Sequence, residues 1–133
     1  MFVNLTIIIP VYNSQKHLFE CLNSACKQIE KNVEVIIVDD FSIDNSIKIS
    51  KKFSRRFKFV KLIKLKRNKG VAHCRNLGIN LAKGEYIQFL DSDDKLINGS
   101  IKIILKHLNQ FNKDDVFFIK NLILHNLKKK SKP

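Results

Sequence analysis

Five of the eight aspartates in this 133-residue chain fall in two short clusters, Asp39-Asp40 and Asp91-Ser92-Asp93-Asp94, each directly after an apolar run. Like charges held so close repel, and the crowding is costly unless a cation or a proton relieves it. Asp91 and Asp93, two apart in a turn, can direct oxygens to one point, and hard divalent ions such as Mg2+ or Mn2+ take oxygen ligands. The competing reading of these residues is that one aspartate caps the following helix while the others are solvated. Spacing alone leaves the two readings level. Asp39-Asp40 carries the same ambiguity, between a turn with a helix cap and acceptors for a base N–H or ribose hydroxyls. Tyr12, two residues after Pro10, can stack on a base or simply pack.

Cations dominate the remaining charge. With 25 Lys and Arg against 12 Asp and Glu the formal charge is +13, which favours an anionic partner. The stretch from Asn45 to Gly84 holds thirteen of the Lys and Arg residues and no acid. Most should form a solvated helix face and strand edge, while Arg67, Lys69 and Arg75 flank the loop Asn68-Lys69-Gly70, where cations can meet a diphosphate. His17, His73, His107 and His125 show no ligand spacing. Cys21, Cys26 and Cys74 are odd in number and unpaired in spacing, which argues against a disulfide framework or zinc site and for reduced thiols in a cytosolic protein.

These residues need elements to hold them. Residues 5–9 and 33–38 are short apolar runs rich in β-branched residues, the pattern of strands buried on both faces of a parallel sheet. Residues 59–65 alternate, as a strand with one wetter face would, and residues 85–90 form a fourth run closed by Asp91. Helices are expected between them: 18–29, capped by Asn13 or Ser14; about 44–56, capped by Ser42 and Asp44, with Ile43 inward; 71–82, burying Val71, Cys74, Leu77 and Leu81 and closed by Gly84; and 101–111. Residues 116–119 read as a fifth strand. Alternating strands and helices give an α/β fold, a mainly parallel sheet flanked by helices, in which ligands bind beyond the carboxyl ends of the strands. One domain over residues 1–127 and a frayed basic tail over 128–133 are expected.

Several classes drop out. No run reaches the roughly 18 apolar residues of a membrane helix, and residues 1–12 read as a first strand and not as a signal peptide. The first strand-to-helix turn has no glycine, so the G-x-G-x-x-G fingerprint is absent, as is G-x-x-x-x-G-K-[ST]. A phosphoacceptor receiver domain would want its acid pair after the first strand, where this chain has Pro10-Val11-Tyr12-Asn13. A basic module that binds anionic membrane or nucleic acid, with structural aspartates, remains as an alternative. Nucleic acid is its weaker form, because the cations are not interleaved with exposed aromatics.

Four segments in order, residues 6–13 (TIIIPVYN), 34–44 (EVIIVDDFSID), 68–78 (NKGVAHCRNLG) and 84–94 (GEYIQFLDSDD), resemble the N-terminal half of family 2 glycosyltransferases of the GT-A fold. Each segment alone is weak, but the ordered set is specific and extends over roughly residues 4–112.

The resemblance implies a Rossmann-like nucleotide-binding half that takes a nucleoside-diphosphate sugar, a UDP-sugar favoured, and Mn2+ or Mg2+. It implies that Pro10 and Tyr12 shape the base pocket, Asp40 binds the base edge, and Asp39 supports it or contacts ribose. Asp91 and Asp93 match the D-x-D element, Asp93 as direct metal ligand and Asp91 on ribose or the metal's water shell. Arg75 and Asn76 match an A-R-N element beside the nucleotide, with Cys74 in place of the usual alanine. The implied reaction glycosylates an acceptor hydroxyl, a saccharide or glycolipid, in surface polysaccharide or glycolipid synthesis. The expected location is cytoplasmic, with peripheral contact at the inner membrane face. Family members run on for about another hundred residues, so the chain reads as truncated and without an assignable catalytic base. Asp114 and Asp115 come too soon after the metal motif to match it. An apolar patch near residues 116–127 is expected to favour self-association or a partner chain.

Overall fold

A computed structural model describes residues 3–110 and the backbone of a short strand at 123–124. Strands β1 (Leu5–Val11) and β2 (Val33–Asp39) are buried along their whole length. They pair in parallel from Leu5 opposite Val33 to Val11 opposite Asp39. Strand β3 (Val60–Lys64) pairs with β2 and β4 (Tyr86–Phe89) pairs with β1, giving a four-stranded parallel sheet ordered β3-β2-β1-β4. The mainly parallel sheet flanked by helices is the fold class expected from the apolar runs.

Side chains alternate across the sheet, and each face has its own core. On one face Ile7, Ile9, Val35 and Ile37 pack with Leu18 and Leu22 of α1 (Leu18–Cys26) and Phe53 of α2 (Ser46–Arg56). Each such fully buried aliphatic side chain contributes about 1.5–3 kcal/mol of transfer free energy. On the other face Ile36 and Val38 meet Cys74 of α3 (Val71–Leu81). Contact there is so close that a Cβ on Gly78 would lie 2.5 Å from Ile8 Cγ2.

Two further elements follow β4: the short strand β5 (Lys95–Leu96) and helix α4 (Ser100–Leu108). Strand β5 pairs antiparallel with β6 (Ile123–Leu124). The strand expected over residues 116–119, the apolar patch expected over 116–127, and the tail at 128–133 lie outside the described residues, apart from β6.

Four local expectations fail for identifiable reasons. Gly84 does not cap α3, whose C-cap is Ala82; it passes against β1, where a Cβ would lie 2.6 Å from the Thr6 nitrogen. Val71 and Leu81 are exposed because α3 meets the sheet through Cys74, Leu77 and Gly78, a stripe that leaves both outside. Ile43 is 84% exposed, since α2 starts later, at Ser46, and leaves it in a loop. Neither Asn13 nor Ser14 caps α1 through its side chain; both reach across to other loops.

Candidate functional site

The register brings three strand ends to one edge of the sheet. The Asp40 amide donates to the Val11 carbonyl at 2.8 Å and the Leu90 amide to the Ile8 carbonyl at 3.0 Å, so pairing continues past the strands into both acidic segments. Between them opens a cavity of about 490 Å³, bordered by Pro10, Tyr12, Asp40, Arg75, Asp91 and Ser92.

A web of loop contacts fixes this rim. The Asn13 amide donates to Ser42 Oγ at 3.0 Å, and Asn13 Oδ1 accepts the Ile43 amide at 2.9 Å. Ser14 and Ser92 hydroxyls meet at 2.6 Å, tying the loop after β1 to the loop after β4. Cys21 Sγ donates to the Asp91 carbonyl at 3.4 Å, anchoring that loop to α1. The N-cap of α2 is Asn45 and not Asp44, which stands one residue before it and accepts the Ser46 amide at 2.8 Å and the Gln15 amide at 3.1 Å. Ser42 does not cap α2 either.

Asp39 and Asp40 are adjacent in an extended chain and point to opposite faces. Asp40 shares the α3 face, where its two carboxylate oxygens accept the Lys69 amide at 2.6 Å and the Gly70 amide at 2.9 Å. Gly70 turns there with φ of +90°, a conformation that favours glycine. A carboxylate has about four acceptor positions, so these two amides leave acceptor capacity toward the cavity. Asp39 lies on the other face and does not border the cavity. Its Oδ2 accepts the Ser42 amide at 2.9 Å, which turns the chain through Phe41 at φ of +66°.

Asp91, Asp93 and Asp94 each present a carboxylate oxygen within 4.8 Å of the others. Asp91 is exposed, Asp93 half-buried and Asp94 buried. Three convergent hard oxygen donors at an open rim fit Mg2+ or Mn2+. Asp94 is the ligand candidate that motif reading passes over. Its adjacency to the D-x-D pair was visible, but its inward orientation was not. Arg75 Nη2 pairs with Asp91 Oδ1 at 2.9 Å, and its guanidinium lies 5.5 Å from the Phe89 ring centroid. Cys74 borders the cavity as a buried thiol, which burial and the Asp40 carboxylate push up to about 11. Cys21, Cys26 and Cys74 are all free and buried.

The parallel sheet with its cleft at the strand ends is shared with solved glycosyltransferases of the GT-A fold. The sequence matches the family model described as Glycosyl transferase family 2 over residues 6–129, and the chain belongs to that family. It is 36% identical over 112 residues to Glycosyltransferase GlyG of Streptococcus pneumoniae serotype 4, across 84% of this chain and 37% of that protein. It is 32% identical over 130 residues to a Cholesterol galactosyltransferase of Borreliella burgdorferi, across 96% of this chain and 36% of that protein. The crystal structure of S. aureus TarS 1-349 in complex with UDP superposes with a TM-score of 0.75 at 33% identity, over 81% of this chain and 32% of that one. The chain spans little more than a third of those two curated relatives. Among the described residues no helix is long and apolar enough to cross a membrane.

Proposed function

We propose that this domain holds the nucleoside diphosphate of a sugar donor, a UDP-sugar favoured, together with Mn2+ or Mg2+, as the donor-binding part of a glycosyltransferase. The carrying observation is that two acidic strand ends far apart in sequence border one cavity, with Arg75 between them. The TarS complexes with UDP and UDP-GlcNAc support the choice of donor class. Tyr12, 53% exposed, offers a ring face to the base over Pro10, while the spare lone pairs of Asp40 accept from the base edge. Asp93, with Asp91 and Asp94, would hold the ion, which when bound offsets negative charge growing on the leaving diphosphate. Arg75 meets the same phosphates as a guanidinium donor. Asp39 acts at one remove, holding the turn that carries Asp40.

The acceptor is a hydroxyl of a saccharide or glycolipid, in surface polysaccharide or glycolipid synthesis, and no residue is assigned as its base. The decisive experiment is calorimetric titration of UDP with and without Mn2+, on this protein and its Asp93→Asn variant. Tighter binding with Mn2+, lost in the variant, supports the reading. Metal-independent binding in both proteins overturns the metal assignment and favours a basic module with structural aspartates, whose anion binding would respond to salt alone.

A further inference from the structure

The cations of the sequence gather on the surface opposite the α3 side of β2. Lys48, Lys51, Lys52 and Arg55 recur at helical spacing on α2 and border a shallow groove with Ile47. A neighbouring concavity of about 420 Å³ shares Ile47 and is bordered by Phe41, Lys64 and Lys66. The two form one continuous surface of six cations with an apolar seam. Five of the six cations are exposed and Lys51 is half-buried. None of the ion pairs found among the described residues involves any of the six. The acid bordering the groove, Asp44, is already engaged by the Ser46 and Gln15 amides. In the loop between β2 and α2, Phe41 borders the second concavity and is 50% exposed, and Ile43, two residues further on, is 84% exposed with its amide held by Asn13 Oδ1.

Strand edges often carry lysine merely to block pairing, which accounts for Lys64 but not for four cations on a helix. Nor does it explain large apolar side chains held in water beside them. We propose that this α2–β3 surface docks on an anionic lipid bilayer, with the cations meeting acidic headgroups while Ile43 and Phe41 enter the headgroup–acyl boundary. Charge complementarity supplies the attraction, since juxtamembrane Lys and Arg each add attraction to an anionic leaflet. The exposed aliphatic side chain selects lipid over nucleic acid, whose bases stack on aromatic faces. Asp39 borders this surface and Asp40 the cavity, so docking leaves the cavity open on the other face of the sheet. The proposal does not depend on the donor reading, and its test needs neither nucleotide nor metal.

The test is co-sedimentation of the full chain with vesicles of phosphatidylcholine containing phosphatidylglycerol, against vesicles of phosphatidylcholine alone, at low and high salt. The expected result is binding to the anionic vesicles only, weakened by salt. Lys48→Glu with Lys52→Glu should reduce the partition coefficient by about tenfold or more. Lys102→Glu with Lys106→Glu on α4 imposes the same change in net charge and should reduce it less than about twofold, because screening makes the effect local. Ile43→Asp should cost a further severalfold at high salt, where insertion outlasts the charges. All four lysines and Ile43 are exposed, and circular dichroism verifies folding of each variant. Equal loss in the two double variants would reduce the effect to net charge and overturn the surface. Unchanged binding in the α2 variant would do the same. A single-stranded oligonucleotide that competes the protein off vesicles through these same lysines, at lower concentration than the lipid, would overturn the choice of partner.

Discussion

Arg75 Nη2 lies 2.9 Å from Asp91 Oδ1, so a cation from α3 pairs with a carboxylate proposed to face a metal. The pair is exposed and worth little to stability. Its consequence is competition, because the guanidinium and a divalent ion seek the same oxygen.

Arg75→Met should therefore raise Mn2+ affinity in the absence of nucleotide by roughly threefold to tenfold, since a nearby positive charge is removed. UDP affinity in the presence of Mn2+ should instead fall about tenfold, through loss of a charge-assisted hydrogen bond. Calorimetry of each ligand measures both. A parallel fall in Mn2+ and UDP affinity would mean that Arg75 supports the cluster and does not compete with the ion.

Asp40 and Asp93 should separate base from phosphate. Asp40→Asn should weaken uridine and UDP alike, and should also cost about 1–3 kcal/mol of stability, because it disturbs the charge-assisted acceptance of the part-buried Lys69 and Gly70 amides. Asp93→Asn should leave uridine binding unchanged and weaken UDP only when Mn2+ is present. Matching losses for uridine and UDP in both variants would defeat that division.

Gly78→Ala should destabilise the domain by about 1–3 kcal/mol in urea unfolding, because the added methyl meets Ile8 and the sheet cannot retreat. In the Ile8→Ala background the same change should cost much less. Additive losses would show that the clash is relieved elsewhere.

Glu34 lies buried under the sheet edge. Burial raises its carboxyl, but the Lys83 amide, the Thr6 hydroxyl and Lys61 outweigh that and hold it below its ordinary 4.5. A carboxyl lowered on folding adds stability above its unfolded value, and that share is lost as pH falls through the folded value. Unfolding midpoints should thus drop below about pH 4.5, more steeply in this protein than in Glu34→Gln, which should be weaker at neutral pH and flatter in acid. Identical pH slopes would remove Glu34 from the account.

The order of strands and helices, and the placing of both acidic clusters at strand ends, were determined by the sequence itself. Strands buried on both faces need unbroken apolar runs such as residues 33–38, and polar residues can follow only where the chain leaves the sheet. The four ordered segments carried the family for the same reason, being short and contiguous. Tertiary structure alone decided what depends on partners distant in the chain. Strand order sets β4 against β1 and brings Asp91 across the cavity from Asp40. Pleat parity then sent Asp39 and Asp40 to opposite faces, one into a structural turn and one to the cavity. Asn13 and Ser14 looked like local caps, but the Ile43 amide and the Ser92 hydroxyl captured their side chains. Gly84 resembled a helix stop and proved to be a point of close passage against Thr6. Local pattern records which face of an element is apolar; only the packed chain determines which donor, acceptor or backbone atom each polar group and glycine will meet.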